Sequence, residues 1–240
     1  MIDIHSHIIF GVDDGPRTLE DSLKLVEEAY SQGIRSIIAT SHRRRGMFNT
    51  PEEKIKENFL ILKEKLKSIY SDLDIYYGGE LYYTSSILEK LENKTTPTLA
   101  STEYVLLEFS SNVMYKEIFS AVDSIILLGL KPILAHIERY NCLENNKEQV
   151  KELIHKGALM QVNSSSVLKI KLFGDKHKVY KKRAKYFIDN DLISFVATDM
   201  HNLEDRKPHL KEAYEFITSK YGKDLADKLC RKNAEKILRK

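Results

Sequence analysis

The 240-residue chain is 42% hydrophobic and 30% charged, which excludes a disordered polypeptide, and a core of this size can bury roughly 70–75% of the unfolded surface without cross-links. Its 38 Lys and Arg against 35 Asp and Glu leave a formal charge of +3, too little to grip nucleic acid by overall charge. Two Cys make neither a disulfide framework nor a thiolate metal motif, and the longest apolar run, residues 125–130, falls far short of the ~18 residues a membrane span needs.

No basic-then-apolar leader opens the chain, because His5 and His7 interrupt it at once. The expectation is a cytoplasmic protein with no stable membrane insertion and no nucleic-acid partner. Short β-rich runs are predicted at 1–8, 35–40, 74–83, 104–109, 131–137, 158–163 and 192–198, most of them apolar throughout, as in strands covered on both faces. Thr18 is placed to cap a helix carrying Leu19, Leu23, Val26 and Tyr30, which Gly33 ends. Thr50-Pro51-Glu52-Glu53 reads as a capping box with Pro at the first helical position, followed by Ile55, Phe59, Leu62, Leu66 and Ile69 on one face. Further helical patterns run through 85–92, 116–128, 147–155, 179–189, 208–221 and 224–240. Strands alternating with helices point to a parallel sheet, either open or closed into a barrel.

The unusual polar residues fall at the ends of the predicted strands. His5 and His7, two residues apart, share a face of the first strand. His42 follows the second, Glu80 lies in the third, Glu108 near the end of the fourth and His136 near that of the fifth; Asp199 and His201 follow the seventh. Only the sixth offers amides and hydroxyls instead, at Gln161, Asn163 and Ser164. A single His at a strand end is ordinarily a packing residue, and a single Glu ordinarily pairs with Lys. Six strand ends all carrying His, Asp or Glu are hard to explain by packing, since buried charge is costly unless paired or metal-bound. With Asp14 added, His5, His7, Asp14, His42, Glu80, Glu108, His136, Asp199 and His201 exceed the protein ligands of one ion, so two or three ions are expected, with Glu80 as a bridge. Imidazoles mixed with carboxylates, without thiolate, suit Mn, Fe or Zn. His155, His177 and His209 lie outside this pattern.

Asp3-Ile4-His5-Ser6-His7, Asp13-Asp14-Gly15, Thr40-Ser41-His42-Arg43, Gly79-Glu80, Ala135-His136-Ile137-Glu138-Arg139 and Asp199-Met200-His201-Asn202 together resemble the polymerase and histidinol phosphatase family, in particular the manganese-dependent tyrosine-protein phosphatases of Gram-positive capsule and exopolysaccharide clusters. The resemblance spans the whole chain. It implies one domain over 1–240, a distorted seven-stranded (β/α) barrel of the TIM type, and a manganese centre in which Fe, Zn or Mg is an alternative. It further implies one ion held by His5, His7, Glu80 and Asp199, a second by Glu80, Glu108 and His136, and a third by Asp14, His42 and His201. Many family members carry His at the positions of Asp14 and Glu108. The implied partner is the phosphotyrosine tail of a membrane-associated bacterial tyrosine kinase.

For such a reaction, metal coordination lowers the pKa of water from 15.7 toward about 7, supplying hydroxide at neutral pH. Arg139 and Arg206 are expected to take phosphate oxygens with their planar guanidinium forks; for Arg206 the competing expectation is an ion pair with Glu204 or Asp205. Arg43, Arg44 and Arg45, directly after His42, are expected to touch substrate, with Phe48 and Tyr83 flanking the mouth. A thiol mechanism requires Cys with Arg six residues on, whereas Cys142 and Cys230 have Glu148 and Lys236 there. The rival enzyme readings are phosphoesterase action on small metabolites or nucleic-acid ends, and an amidohydrolase. A metal-stabilised binding module is the non-enzyme alternative.

Overall fold

The structure, a computed structural model, describes residues 1–171 and 173–238. Nine parallel segments form its sheet. Strand β1 (Ile2–Ser6) pairs with β2 (Ser36–Ala39), and β2 with β4 (Asp74–Tyr77). A second run joins β3 (His42–Arg43), β5 (Glu80–Tyr82), β6 (Tyr104–Glu108), β7 (Lys131–Leu134), β8 (Leu159–Asn163) and β9 (Phe195–Ala197) in that order. The ring closes where the N–H of Asp199 donates to the His5 carbonyl at 2.8 Å and that of His7 to the Met200 carbonyl at 2.9 Å. Because β3 continues β2 and β5 continues β4 after short breaks, the nine segments make seven staves. Of the two arrangements the strand count allowed, the chain adopts the closed barrel, distorted at the second and third staves.

Glycine eases packing at the third stave. A Cβ on Gly78 would lie 3.0 Å from side-chain carbons of both Ile38 and Leu99, so a larger residue there would force both to shift.

Alternation divides the strand residues between two cores. Ile4, Ile38, Leu106, Ile133, Phe195 and Ala197 meet in one cluster although they come from staves on opposite sides, which only the interior of a closed ring allows. Ala234 and Ile237 of helix α10 (Asn233–Leu238) join them, plugging the end at which the strands begin. Ile37, Val105, Leu107, Leu134, Val162 and Val196 face outward into the larger cluster beneath the helices. The chemistry-bearing residues are therefore confined to the opposite end, where the strands finish.

The outer layer consists of α1 (Leu19–Ser31), α2 (Glu52–Ile69), α3 (Ser85–Glu92), α4 (Tyr115–Leu127), α5 (Lys147–Lys156), the short α6 (Ser164–Val167), α7 (Lys178–Asp189), α8 (Leu210–Tyr221) and α9 (Lys223–Asp227). Thr18 caps α1 as expected, its hydroxyl accepting from the Asp21 N–H at 3.2 Å while the Asp21 carboxylate accepts from the Thr18 N–H. The capping box expected at Thr50 does not form. Its hydroxyl donates instead to the Val12 carbonyl at 2.9 Å, tying the loop after β1 to the start of α2, and Pro51 takes the cap position. The helix expected over 224–240 is broken by a π turn at Lys228–Lys232, which separates α9 from α10; residues 239 and 240 lie outside the described residues.

Candidate metal centre

All nine predicted side chains converge at the barrel mouth. Their nitrogen and oxygen atoms fall into four overlapping groups, each with its ligand atoms within 4.8 Å of one another: His7, Asp14, His42 and His201; His5, His136 and Asp199; His5, His7 and Glu80; His42, Glu80 and Glu108. Glu80 is the hub. One oxygen lies 3.3 Å from His5 Nε2 and 2.9 Å from His136 Nε2, the other 3.2 Å from His7 Nε2 and 3.0 Å from His42 Nδ1. The grouping departs from the sets implied by the resemblance in three respects. His7 also joins Asp14, His42 and His201, His42 rather than His136 falls in with Glu108, and Asp199 groups with His5 and His136 instead of with His7 and Glu80.

Two of these residues hold strained backbone. His136 has φ 33° and Asp199 φ 52°, left-handed conformations that side-chain-bearing residues adopt at a cost of about 1–3 kcal/mol. Both come two residues after a strand ends, where the sharp turn aims the side chain into the mouth. At Gly15 the constraint is close approach, since a Cβ there would lie 2.6 Å from the His7 carbonyl oxygen.

The residues present fit metal ions. Five buried atoms of the cluster, His42 Nδ1, Glu80 Oε2, Glu108 Oε2, His136 Nδ1 and His201 Nε2, make no hydrogen bond of good geometry among the described residues. Buried lone pairs of this kind call for a cation. Despite burial, His5 and His42 hold Glu80 far below the usual carboxylate range. Asp199 is likewise held down against burial by Arg139, His5 and Arg206. Burial and the charge of Glu80 push Glu108 up to about 7, and burial with the nearby Arg139 pushes His136 down to about 4.

Asp13 was not among the expected site residues. Its Oδ2 accepts from the His42 N–H at 2.9 Å and lies 2.8 Å from His7 Nδ1, while Oδ1 accepts from the Gly15 N–H. It therefore turns His7 Nε2 toward Glu80, and in spite of burial raises the His7 pKa to about 10. The Asp13-Asp14-Gly15 run offered two carboxylates; only the side-chain directions separate the orienting one from the candidate ligand.

Arg139 and Arg206 stand at the edge of the cluster, each with its side chain 32% exposed. Arg139 donates to Asp199 Oδ2 at 2.6 Å; Arg206 donates to Asp199 Oδ1 at 2.8 Å and to Asp14 Oδ2 at 3.1 Å. Arg206 thus pairs across the mouth and not with Glu204 or Asp205, whose N–H groups donate to Asn202 in the same loop.

The expectation for Arg43 requires correction. Its guanidinium is turned inward, donating to both Glu52 carboxylate oxygens at 2.7 and 2.9 Å, to the Ser41 carbonyl at 2.6 Å and to the Tyr77 hydroxyl at 3.0 Å. With its donors committed there, it anchors the loop rather than reaching substrate. Arg44 lies over the Tyr82 ring at 4.2 Å, close enough to Glu108 to act on its charge, and Arg45 is exposed. Arg43→Ala is expected to destabilise the fold by about 2 kcal/mol, the scale of charged hydrogen bonds, in thermal or denaturant unfolding. Arg44→Ala should leave stability unchanged and act on substrate binding.

Phe48 stacks on the His42 ring with centroids 4.8 Å apart, whereas Tyr83 packs against Phe109. His155, His177 and His209 belong to none of the four groups.

Fold and site together define a (β/α)7 barrel whose mouth gathers His and carboxylate groups that could hold metal. A family model described as "Capsular polysaccharide synthesis, CpsB/CapC" matches residues 1–239. The chain is 56% identical over 239 residues to the tyrosine-protein phosphatase CpsB of Streptococcus agalactiae serotype V, covering 100% of this chain and 98% of that one. It is 52% identical to CpsB of Streptococcus pneumoniae, covering 99% and 98%. A crystal structure from work on YwqE of Bacillus subtilis and CpsB of Streptococcus pneumoniae, described as metal-dependent tyrosine phosphatases, matches with TM-score 0.89 at 31% identity, over 100% of this chain and 94% of that one. This chain belongs to the CpsB/CapC family.

Proposed function

We propose that the chain is a metal-dependent protein-tyrosine phosphatase. It works in the cytoplasm with two or three manganese ions, on phosphotyrosine in the tail of a membrane-associated tyrosine kinase that controls capsule or exopolysaccharide assembly. The observation that carries this reading is the placement of two partly exposed Arg side chains, Arg139 and Arg206, beside a buried cluster of candidate His and carboxylate ligands centred on Glu80. The family and the activity printed for its relatives support the same reaction.

His5, His7, Asp14, His42, Glu80, Glu108, His136, Asp199 and His201 would hold the ions, and their nitrogen and carboxylate donors suit manganese over a soft metal. Bound metal supplies Lewis acidity toward the phosphoryl oxygens and lowers the pKa of coordinated water. The chain's own part is to bind and orient. Arg139 and Arg206 approach Asp199 from its two oxygens, so a phosphoryl group entering the mouth meets both forks at once, and its equatorial charge is neutralised where it develops. Arg44 adds positive charge at the rim. A phenolate leaving group, with pKa near 10, departs without a dedicated acid.

Comparison of substrates tests the assignment. A phosphotyrosine peptide is expected to exceed histidinol phosphate and phosphorylated DNA ends at least tenfold in kcat/KM; the reverse order overturns it. Burial raises the pKa of both thiols, that of Cys230 to about 12, so neither is an activated nucleophile. The Cys142→Ala/Cys230→Ala double variant should therefore keep full activity, and its inactivity would refute the metal route.

A further inference from the structure

The sixth stave is the exception in the barrel, ending in amides where the other six supply candidate ligands. Gln161 and Asn163 of β8, two residues apart, both point inward and are buried at 0% and 3% exposure. They touch three candidate ligands that belong to one group, His5, His136 and Asp199.

The direction of every hydrogen bond in this chain follows from one donor. The backbone N–H of His136 can only donate, and it meets the Gln161 side chain at 2.7 Å, so the atom there is the carbonyl oxygen Oε1. His5 Nδ1 faces that same oxygen at 3.1 Å and must therefore carry a proton. The lone pair of His5 is left on Nε2, which lies 3.3 Å from Glu80 and 3.4 Å from Asp199. Gln161 Nε2 then donates to Asn163 Oδ1 at 2.9 Å, which leaves Asn163 Nδ2 to donate to Asp199 Oδ2 at 2.7 Å. With Arg139 on that oxygen too, Asp199 keeps Oδ1 turned toward His5 and His7. The Asn163 backbone N–H is itself held by Glu138 Oε1 at 2.9 Å.

We infer that Gln161 and Asn163 form a one-way hydrogen-bond relay that fixes the His5 tautomer, supports the strained His136 backbone and aims Asp199, making both amides positioning residues for these three candidate metal ligands. The inference rests on the reading of the mouth as a metal centre. Its particular claim is polarity. A carboxylate at position 161 could still accept from His136 and His5, but it would set oxygen against oxygen at Asn163. Asn163 could relieve that only by turning its own oxygen onto the Asp199 carboxylate.

The test is manganese binding to the full chain, by titration calorimetry and by metal count after dialysis, for wild type, Gln161→Leu, Gln161→Glu and Asn163→Ala. Gln161→Glu, which matches glutamine in shape, and Gln161→Leu are expected to weaken one manganese site about 10–100-fold, the range seen when groups behind metal ligands are removed. Asn163→Ala should give a smaller loss, since Arg139 still holds Asp199. In all three, kcat should fall at limiting manganese and recover with excess metal, while KM for a phosphotyrosine peptide stays within about twofold. Should Gln161→Leu fail to fold, Gln161→Glu and Asn163→Ala carry the same comparison. Wild-type metal count and affinity in folded Gln161→Glu would refute the relay alone. Failure of wild type to take up manganese would refute the metal centre and the relay with it.

Discussion

Glu80→Gln is expected to lower kcat on a phosphotyrosine peptide by about 10³-fold or more and to reduce the number of manganese ions the chain retains. Glu80 contacts four imidazoles from three staves, each oxygen facing two of them. No other residue of the cluster has this reach, so its charge is the one that separate metal positions would share. Glutamine keeps the size and leaves one oxygen, but replaces the other with an NH₂ that cannot ligate and points two hydrogens at imidazole nitrogens meant to face a metal. Metal counting and single-turnover hydrolysis check the expectation. A variant with wild-type metal content and kcat within tenfold would remove Glu80 from the centre of the site.

The second large effect is expected at Arg139. Arg139→Lys preserves the charge and loses the fork, and should cost about 10²–10³-fold in kcat/KM, or roughly 2.7–4 kcal/mol of transition-state stabilisation. Lysine is a compact point charge that cannot present two parallel N–H groups to phosphoryl oxygens. Metal content should survive, because Asp199 remains held by Asn163 and Arg206. That contrast separates the two residues. Glu80→Gln loses metal and activity together, whereas Arg139→Lys loses activity from a metal-replete protein. Equal metal loss in both would mean that Arg139 acts by holding Asp199 and not by meeting substrate.

The barrel and the contents of its mouth were legible because both rest on periodic, local signals. Apolar runs covered on both faces mark the staves, and a polar residue at the end of such a run has no core to join. What escaped was set by directions that spacing does not carry. Arg43 and Arg44 are neighbours in sequence, yet one turns inward to Glu52 and the other lies on Tyr82. Thr50 had the right partner at the right spacing for a cap, but Val12, distant in sequence, claimed its hydroxyl. Asp13 and Asp14 are chemically identical, and only the fold makes one orient His7 and the other face His201. Gln161 and Asn163 stood out as the stave without ligands, but their role depends on a backbone N–H twenty-five residues away at His136.

The central claim is that this mouth hydrolyses phosphotyrosine only with its metal ions in place. Metal content of the purified protein, measured with phosphotyrosine-peptide hydrolysis before chelation, after chelation and after manganese is restored, tests it most directly. Two or three ions per chain are expected, with activity lost on their removal and recovered on manganese addition. Undiminished hydrolysis by the chelated, metal-free protein would contradict it.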